Sequence, residues 1–155
     1  MNVTTKTLNP DDWPEWRSVR LEALAESPAA FGSGLADWID ATADRWTARL
    51  RDVPLNVIAL RDGTPVGQVS AMRSDPAATV ELISMWVSPT ARGEGVGDAL
   101  IEVVTSWAVS EEASTVELSV KESNNPARRL YERNGFSIAG AGASNDEIRM
   151  IRALS

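Results

Sequence analysis

VSPTARGEGVGDAL, residues 87–100, packs three glycines and one arginine into six positions (RGEGVG, 92–97). These lie between an apolar run ending at Val87 and an amphipathic run beginning near Val96. Glycine beside a regular element costs conformational entropy, so this density predicts positive φ or a close approach to the backbone. A strand that leads through such a turn into a helix is well suited to an anion. The first N–H groups of the helix lack internal partners, and the helix dipole favours negative charge there. Arg92 adds a fork-shaped phosphate donor, and Gly95 and Gly97 remove side chains that would keep a phosphate off the backbone. The pattern is not a P-loop, because no Gly-Lys-Ser/Thr follows. It is not the dinucleotide pattern either: the loop lies in mid-chain, and its spacing is RxxGxG.

The flanking segments define the fold class. TVELISMWV (79–87) has apolar residues in both alternations, as in a central strand covered on both faces. Strict alternation puts Val80, Leu82, Ser84 and Trp86 on one side and Glu81, Ile83, Met85 and Val87 on the other. After the loop, a helix to about Ser110 carries the stripe Val96, Leu100, Val103, Val104, Trp107 and Ala108, with Asp98 and Glu102 off it. TVELSV (115–120) alternates again. Asn125-Pro126 opens a helix, Asn as cap and Pro in the first turn, that closes at Asn134-Gly135. Residues 136–139 and 148–152 read as the last strands.

Upstream, VTTKTL (3–8) reads as a first strand. Asp11 or Asp12 caps a helix to about Glu26, SPAAFGSG (27–34) interrupts it, and a second helical stretch covers about 36–51. NVIAL (56–60) and PVGQVSAM (65–72) flank the hairpin signal Asp62-Gly63. The order β-α-α-β-β-β-α-β-α-β-β implies an α/β (α+β) fold. Its mixed, mostly antiparallel central sheet has six to seven strands with helices on both faces, in a single domain over 1–155.

Composition narrows the chemistry. The 155 residues include no Cys and no His, which excludes a cysteine nucleophile, a disulfide, a Cys/His metal site and a Ser-His-Asp triad. Acid–base work falls to Asp, Glu, Lys, Tyr, water or a terminus. The net charge of −7 argues against nucleic acid as a partner. No run of about 18 apolar residues predicts a membrane span. The start of the chain lacks a basic-then-apolar leader, so a cytoplasmic location is expected.

VSPTARGEGVGDAL closely resembles the acyl-CoA signature of the GNAT superfamily of N-acyltransferases, Pro89 and Leu100 included. NNPARRLYERNGF (124–136) resembles the second signature of that family, at the usual separation. The resemblance covers nearly the whole chain. It implies a sheet splayed between its fourth and fifth strands, with acetyl-CoA in the gap and no metal. The backbone of Met85, Trp86 and Val87 would pair with the pantetheine amides. The loop Arg92, Gly93, Glu94, Gly95, Val96 and Gly97 would cradle the pyrophosphate, its amides from 93 to 97 donating. Asn124 would contact the cofactor arm, and Tyr131 would lie near the acyl sulfur.

These residues permit direct transfer of an acetyl group to a primary amine of a small molecule or peptide. A backbone N–H near Val87 would hold the oxyanion, and the Tyr131 hydroxyl would protonate the departing thiolate. In some members of the family that this chain resembles, an acidic side chain of the fourth strand takes the amine proton. Glu81 stands at the matching place, on the same strand face as Met85 and Val87, and burial among Val80, Leu82 and Ile83 would raise its pKa. Glu22, Glu26 and Asp37 are further acceptor-side carboxylates. Trp13, Trp16, Trp38 and Trp46 read first as packing, and Trp107 as core. Arg128 and Arg129 read either as ligands for the adenosine phosphate or as a solvated face. Two other readings remain: an N-terminal acetyltransferase acting on proteins, and a non-catalytic acyl-CoA sensor that would need neither Tyr131 nor Glu81. Homodimers are common among similar families, though no stretch here marks an interface.

Overall fold

The computed structural model describes residues 2–26, 34–74 and 78–154. Its core is one seven-stranded sheet in the order β1-β2-β3-β4-β5-β7-β6. The strands are β1 (Val3–Thr7), β2 (Leu55–Arg61), β3 (Thr64–Ser74), β4 (Thr79–Val87), β5 (Thr115–Lys121), β6 (Ser137–Ala141) and β7 (Glu147–Ala153). All neighbours run antiparallel except β4 and β5. That parallel pair requires a crossover, supplied by α4 (Val96–Ser110). The remaining helices are α1 (Trp13–Glu26), α2 (Leu35–Trp38), α3 (Ala43–Asp52) and α5 (Asn125–Arg133).

Two apolar clusters hold the layers. Val57, Val69, Val80, Leu82, Leu100, Ile101, Val104 and Leu118 fill the face under α4 and α5. Trp16, Val19, Trp46, Leu50, Ile58 and Trp86 fill the face under α1 and α3. Trp16 and Trp46 are wholly enclosed, and Trp38 stacks on Trp46 with ring centroids 4.6 Å apart. Trp107 is half-buried against the α4/α5 cluster.

Several local expectations shift. Asn9, rather than Asp11 or Asp12, caps the start of the first helical segment. Its side chain accepts from the Asp11 N–H while Asp12 reaches back to the Asn9 N–H. The stretch expected as one helix over 36–51 divides into α2 and α3, because Thr42 caps a new start through the Arg45 N–H. The interruption expected at 27–34 lies, but for Gly34, outside the described residues. The cap of α5 is Asn124, whose side chain accepts from the Ala127 N–H, so Asn125 and Pro126 are its first two helical residues.

The larger correction concerns β4. Gln68 lies opposite Trp86 while Ser70 lies opposite Ile83, so two steps on β3 match three on β4. The extra residue is a β-bulge at Ser84, whose φ is +58°. Strict alternation therefore fails past the bulge. Val80 and Leu82 share the α4/α5 face with Met85 and Val87, and Trp86 turns to the α1/α3 face. Glu81 is thus on the face opposite Met85 and Val87, not with them.

Gly97 sits where α4 meets α5. A Cβ there would stand 2.8 Å from Leu130 Cδ2, so this cleft-lining glycine also lets the two helices pack closely. Gly97→Ala is expected to destabilise the fold by about 1–3 kcal/mol. Thermal or urea unfolding measures it, and Leu130→Ala in the same chain should restore part of the loss relative to the sum of the single variants.

Candidate active site

β4 and β5 pair only through Thr79–Thr115, Val80–Val116 and Glu81–Glu117. Beyond Glu81 they part. The bulge bends β4 away, and the inner edge of residues 82–87 is left without a strand partner on that side. The gap is a cleft of about 1190 Å³. One wall is β4 from Leu82 to Val87, the other is β5 from Leu118 to Lys121, and α5 and the start of α4 close it. An unpaired strand edge inside a fold offers backbone donors and acceptors to an extended ligand that carries amides.

The loop between β4 and α4 opens into this cleft. Gly93 and Gly95 have φ of +83° and +86°, a backbone that side chains rarely adopt, and a Cβ on either would meet nothing within 4 Å. The loop's shape, more than crowding, requires these two glycines. Gly95 caps α4 without a side-chain hydrogen bond, whereas Asn124 and Thr42 bond the first turns of α5 and α3. The first N–H groups of a 15-residue helix are thus left open toward the cleft.

Not every expected residue points inward. Gly93, Gly95, Val96, Gly97 and Asn124 line the cleft with Met85, Trp86 and Val87. The Glu94 carboxylate turns aside to Arg61, 3.1 Å away, so only its backbone is offered to the loop. Arg92 lines the cleft, but its Nε donates to the Val87 carbonyl at 3.1 Å and its Nη2 to Glu26 at 3.2 Å. Glu26, at the end of α1, also accepts from Trp86 Nε1 at 2.9 Å. Asp98 in the first turn of α4 would repel an anion. Arg133 at 3.1 Å offsets its charge and holds its carboxyl below the usual range. Arg128 folds back to the Glu122 carbonyl at 2.9 Å, and Arg129 is exposed. Glu22 and Asp37 are exposed, and the Asp37 carboxylate accepts from the Gly34 N–H.

Tyr131 enters the cleft from α5, edge-on to Phe136 with centroids 5.8 Å apart. It is 5% exposed, and its hydroxyl makes no hydrogen bond to a described residue. Burial pushes its pKa well above the ordinary value of 10. Glu81 does not line the cleft itself. It sits at the point where the strands part, on the opposite face of the sheet from Tyr131, in register with Glu117. Loss of solvent, and then the charge of Glu117, raise its pKa above the ordinary glutamate value. Glu117 is in turn held by Arg149 at 3.3 Å and Ser74 at 3.1 Å. Glu117 and Arg149 were not marked by the sequence, where each is one polar position of an alternating strand.

A family model described as the acetyltransferase (GNAT) family matches residues 10–136. The chain belongs to the GNAT family of acetyltransferases. A mycothiol acetyltransferase of Brachybacterium faecium is 33% identical over 132 residues, covering 83% of this chain but only 39% of that longer protein. An uncharacterized N-acetyltransferase of Mycobacterium bovis is 32% identical over 147 residues, covering 88% of this chain and 93% of that one. Among solved structures, PaiA N-acetyltransferase from Thermoplasma acidophilum, in complex with coenzyme A, superposes with a TM-score of 0.76. It is 17% identical and covers 99% of this chain and all of that one, a likeness of fold. Among the described residues no helix is long and apolar enough to cross a membrane.

Tyr131 is the sole tyrosine, so its ionisation can be read directly. In the native protein at pH 11, where a free phenol is about 90% ionised, the 295 nm phenolate band should be nearly absent. In denaturant the same residue should titrate near 10. A raised folded pKa means stability is lost as pH climbs past the unfolded value, so the band should appear together with alkaline unfolding. Titration near 10 in the native state would show that the ring is solvated.

Proposed function

We propose that this protein transfers the acetyl group of acetyl-CoA directly to a primary amine of a small molecule or peptide. The carrying observation is the parted β4–β5 edge with an uncapped helix start at one end and the lone tyrosine inside it. Family membership and a structural neighbour that holds coenzyme A support the same reading. The pantetheine arm extends along residues 85–87, the pyrophosphate lies against the amides of 93–97, and Asn124 stands beside the arm.

The neutral amine attacks the thioester carbonyl from the open face of the sheet. Glu81, directly or through water, takes its proton. The carbonyl oxygen, as it gains charge, receives a backbone N–H near Val87. When the tetrahedral intermediate collapses, the C–S bond breaks and the Tyr131 hydroxyl gives its proton to the thiolate. Burial keeps that phenol protonated at every working pH, which suits a donor. It also raises the Glu81 pKa above the ordinary glutamate value, which makes the carboxylate a stronger base.

Thiol release from acetyl-CoA, read with a thiol-reactive dye over a panel of amines and peptides, tests the reaction. The absence of Cys removes protein background. Tyr131→Phe should lower kcat by about 10²-fold while acetyl-CoA affinity measured by calorimetry stays within about twofold. Unchanged turnover would remove the tyrosine from the mechanism. For Glu81 the sign is set by the base form. kcat/KM should fall as pH drops through a pKa above the ordinary glutamate value, and Glu81→Gln should abolish that limb along with most activity. A limb that survives the substitution would assign it to another group.

A further inference from the structure

Arg49 projects from α3 onto the α1/α3 face of the sheet and stops beside the bulge. Its Nη1 donates to Asn56 Oδ1 at 2.9 Å, and its Nη2 to Ser70 Oγ at 3.2 Å and Ser84 Oγ at 3.4 Å. One face of the guanidinium covers the ring of the enclosed Trp16, 5.1 Å from its centroid. Every one of these partners is neutral, and among the described residues no carboxylate comes within ion-pair distance of Arg49. Three of its five N–H groups are used in these bonds, leaving two. Loss of solvent lowers its pKa to about 10, so it stays a cation at neutral pH, and it sits close enough to Arg20 for the two charges to repel.

A half-buried cation is a costly way to join three strands, and here it is not needed for that. Asn56 and Ser70 already satisfy each other, with Ser70 Oγ donating to Asn56 Oδ1 at 2.7 Å and Asn56 Nδ2 to the Val53 carbonyl at 2.8 Å. An aliphatic side chain would cover Trp16 without the desolvation penalty. What the charge adds is a positive group one side chain from the cleft, because Ser84 both lines the cleft and accepts from Arg49.

We propose that Arg49 receives a carboxylate of the acceptor, so the substrate is an amine that carries a carboxylate a few bonds away, as an amino acid does. The proposal rests on the acetyl-transfer reading and names its substrate class. Ser84 places the guanidinium beside the strand where the acyl carbon must lie, so only a short spacer separates the attacking nitrogen from the anion. A fork-shaped donor over an aromatic face suits a planar two-oxygen ligand. A neutral amide in the same place would leave the cation uncompensated.

Matched acceptors test it. Thiol release is compared for amino acids and for their primary amides, with wild type and Arg49→Met. Wild type should favour the free carboxylate in kcat/KM by about 10- to 100-fold, the range of a charged hydrogen bond. The variant should bring the ratio near one while acetyl-CoA affinity holds, and Arg49→Lys should keep part of the preference. Equal use of acid and amide by wild type, or an unchanged ratio in the variant, overturns the subsite.

Because Arg49→Met can fail to fold, a second readout uses wild type alone. In protein saturated with coenzyme A, the Arg49 Nε–Hε NMR signal should shift with N-acetylglycine and not with N-acetylglycinamide. No shift with the carboxylate overturns the subsite, whatever the kinetics show. A shift without thiol release from any amine would place the failure in the proposed reaction instead.

Discussion

The site depends on one extra residue in β4. At Ser84 a non-glycine backbone adopts φ of +58°, a conformation that costs on the order of 1–3 kcal/mol and persists only when its surroundings enforce it. The enforcement is visible. The Gln68 side chain, fully buried, donates to the Ser84 carbonyl at 2.9 Å. Below the bulge β4 and β5 form an ordinary parallel pair; above it they separate. Without it, the ladder that ends at Glu81–Glu117 would continue toward Val87 and close the space in which a thioester arm would lie. The strain and the cleft are two aspects of one geometry.

The charge distribution follows from the same layout. A net charge of −7 gives the chain no overall attraction for a polyanion. In the proposed site, backbone N–H groups at the start of α4 would take the place of a cluster of cations. The acidic groups nearest that start are each offset locally, Glu94 by Arg61 and Asp98 by Arg133. Arg92, the first residue of the loop, is shared with Glu26 and the Val87 carbonyl. That contact links the end of α1 to the end of β4 and to the loop. Arrival of an anionic ligand at 93–97 would therefore be felt at Glu26 and Trp86.

Much of this is legible in the sequence, and the parts that are not have specific causes. The glycine loop, the stripe on α4 and the alternation of β5 follow from local rules of period and backbone freedom, and they are found where expected. A bulge obeys no such rule. Ser84-Met85 reads as two ordinary steps of a strand, and only the register against β3 shows three residues doing the work of two. Everything downstream of it in β4 was accordingly assigned to the wrong face relative to Glu81. The packing demand on Gly97 is hidden for a related reason: it comes from Leu130, 33 positions away, and not from its neighbours in the loop. Arg49 was invisible because an arginine on a helix is normally solvated, and only the position of Trp16 beneath it makes it a half-buried cation.

The two faces of the sheet divide the proposed chemistry. Tyr131 belongs to the apolar layer under α5, with Phe136, Leu118 and Leu82. Glu81 belongs to the opposite face, beside Glu117 and Arg149, where β5 presents polar side chains. In the proposed reaction a thiolate forming on the apolar side would meet a phenol that burial has kept neutral. The same loss of solvent raises both pKa values, yet it acts oppositely on function. It makes the carboxylate a better proton acceptor and makes the phenol reluctant to be anything but a donor. In the proposed reaction the base and the acid would thus be separate groups on separate layers, without a histidine to shuttle the proton.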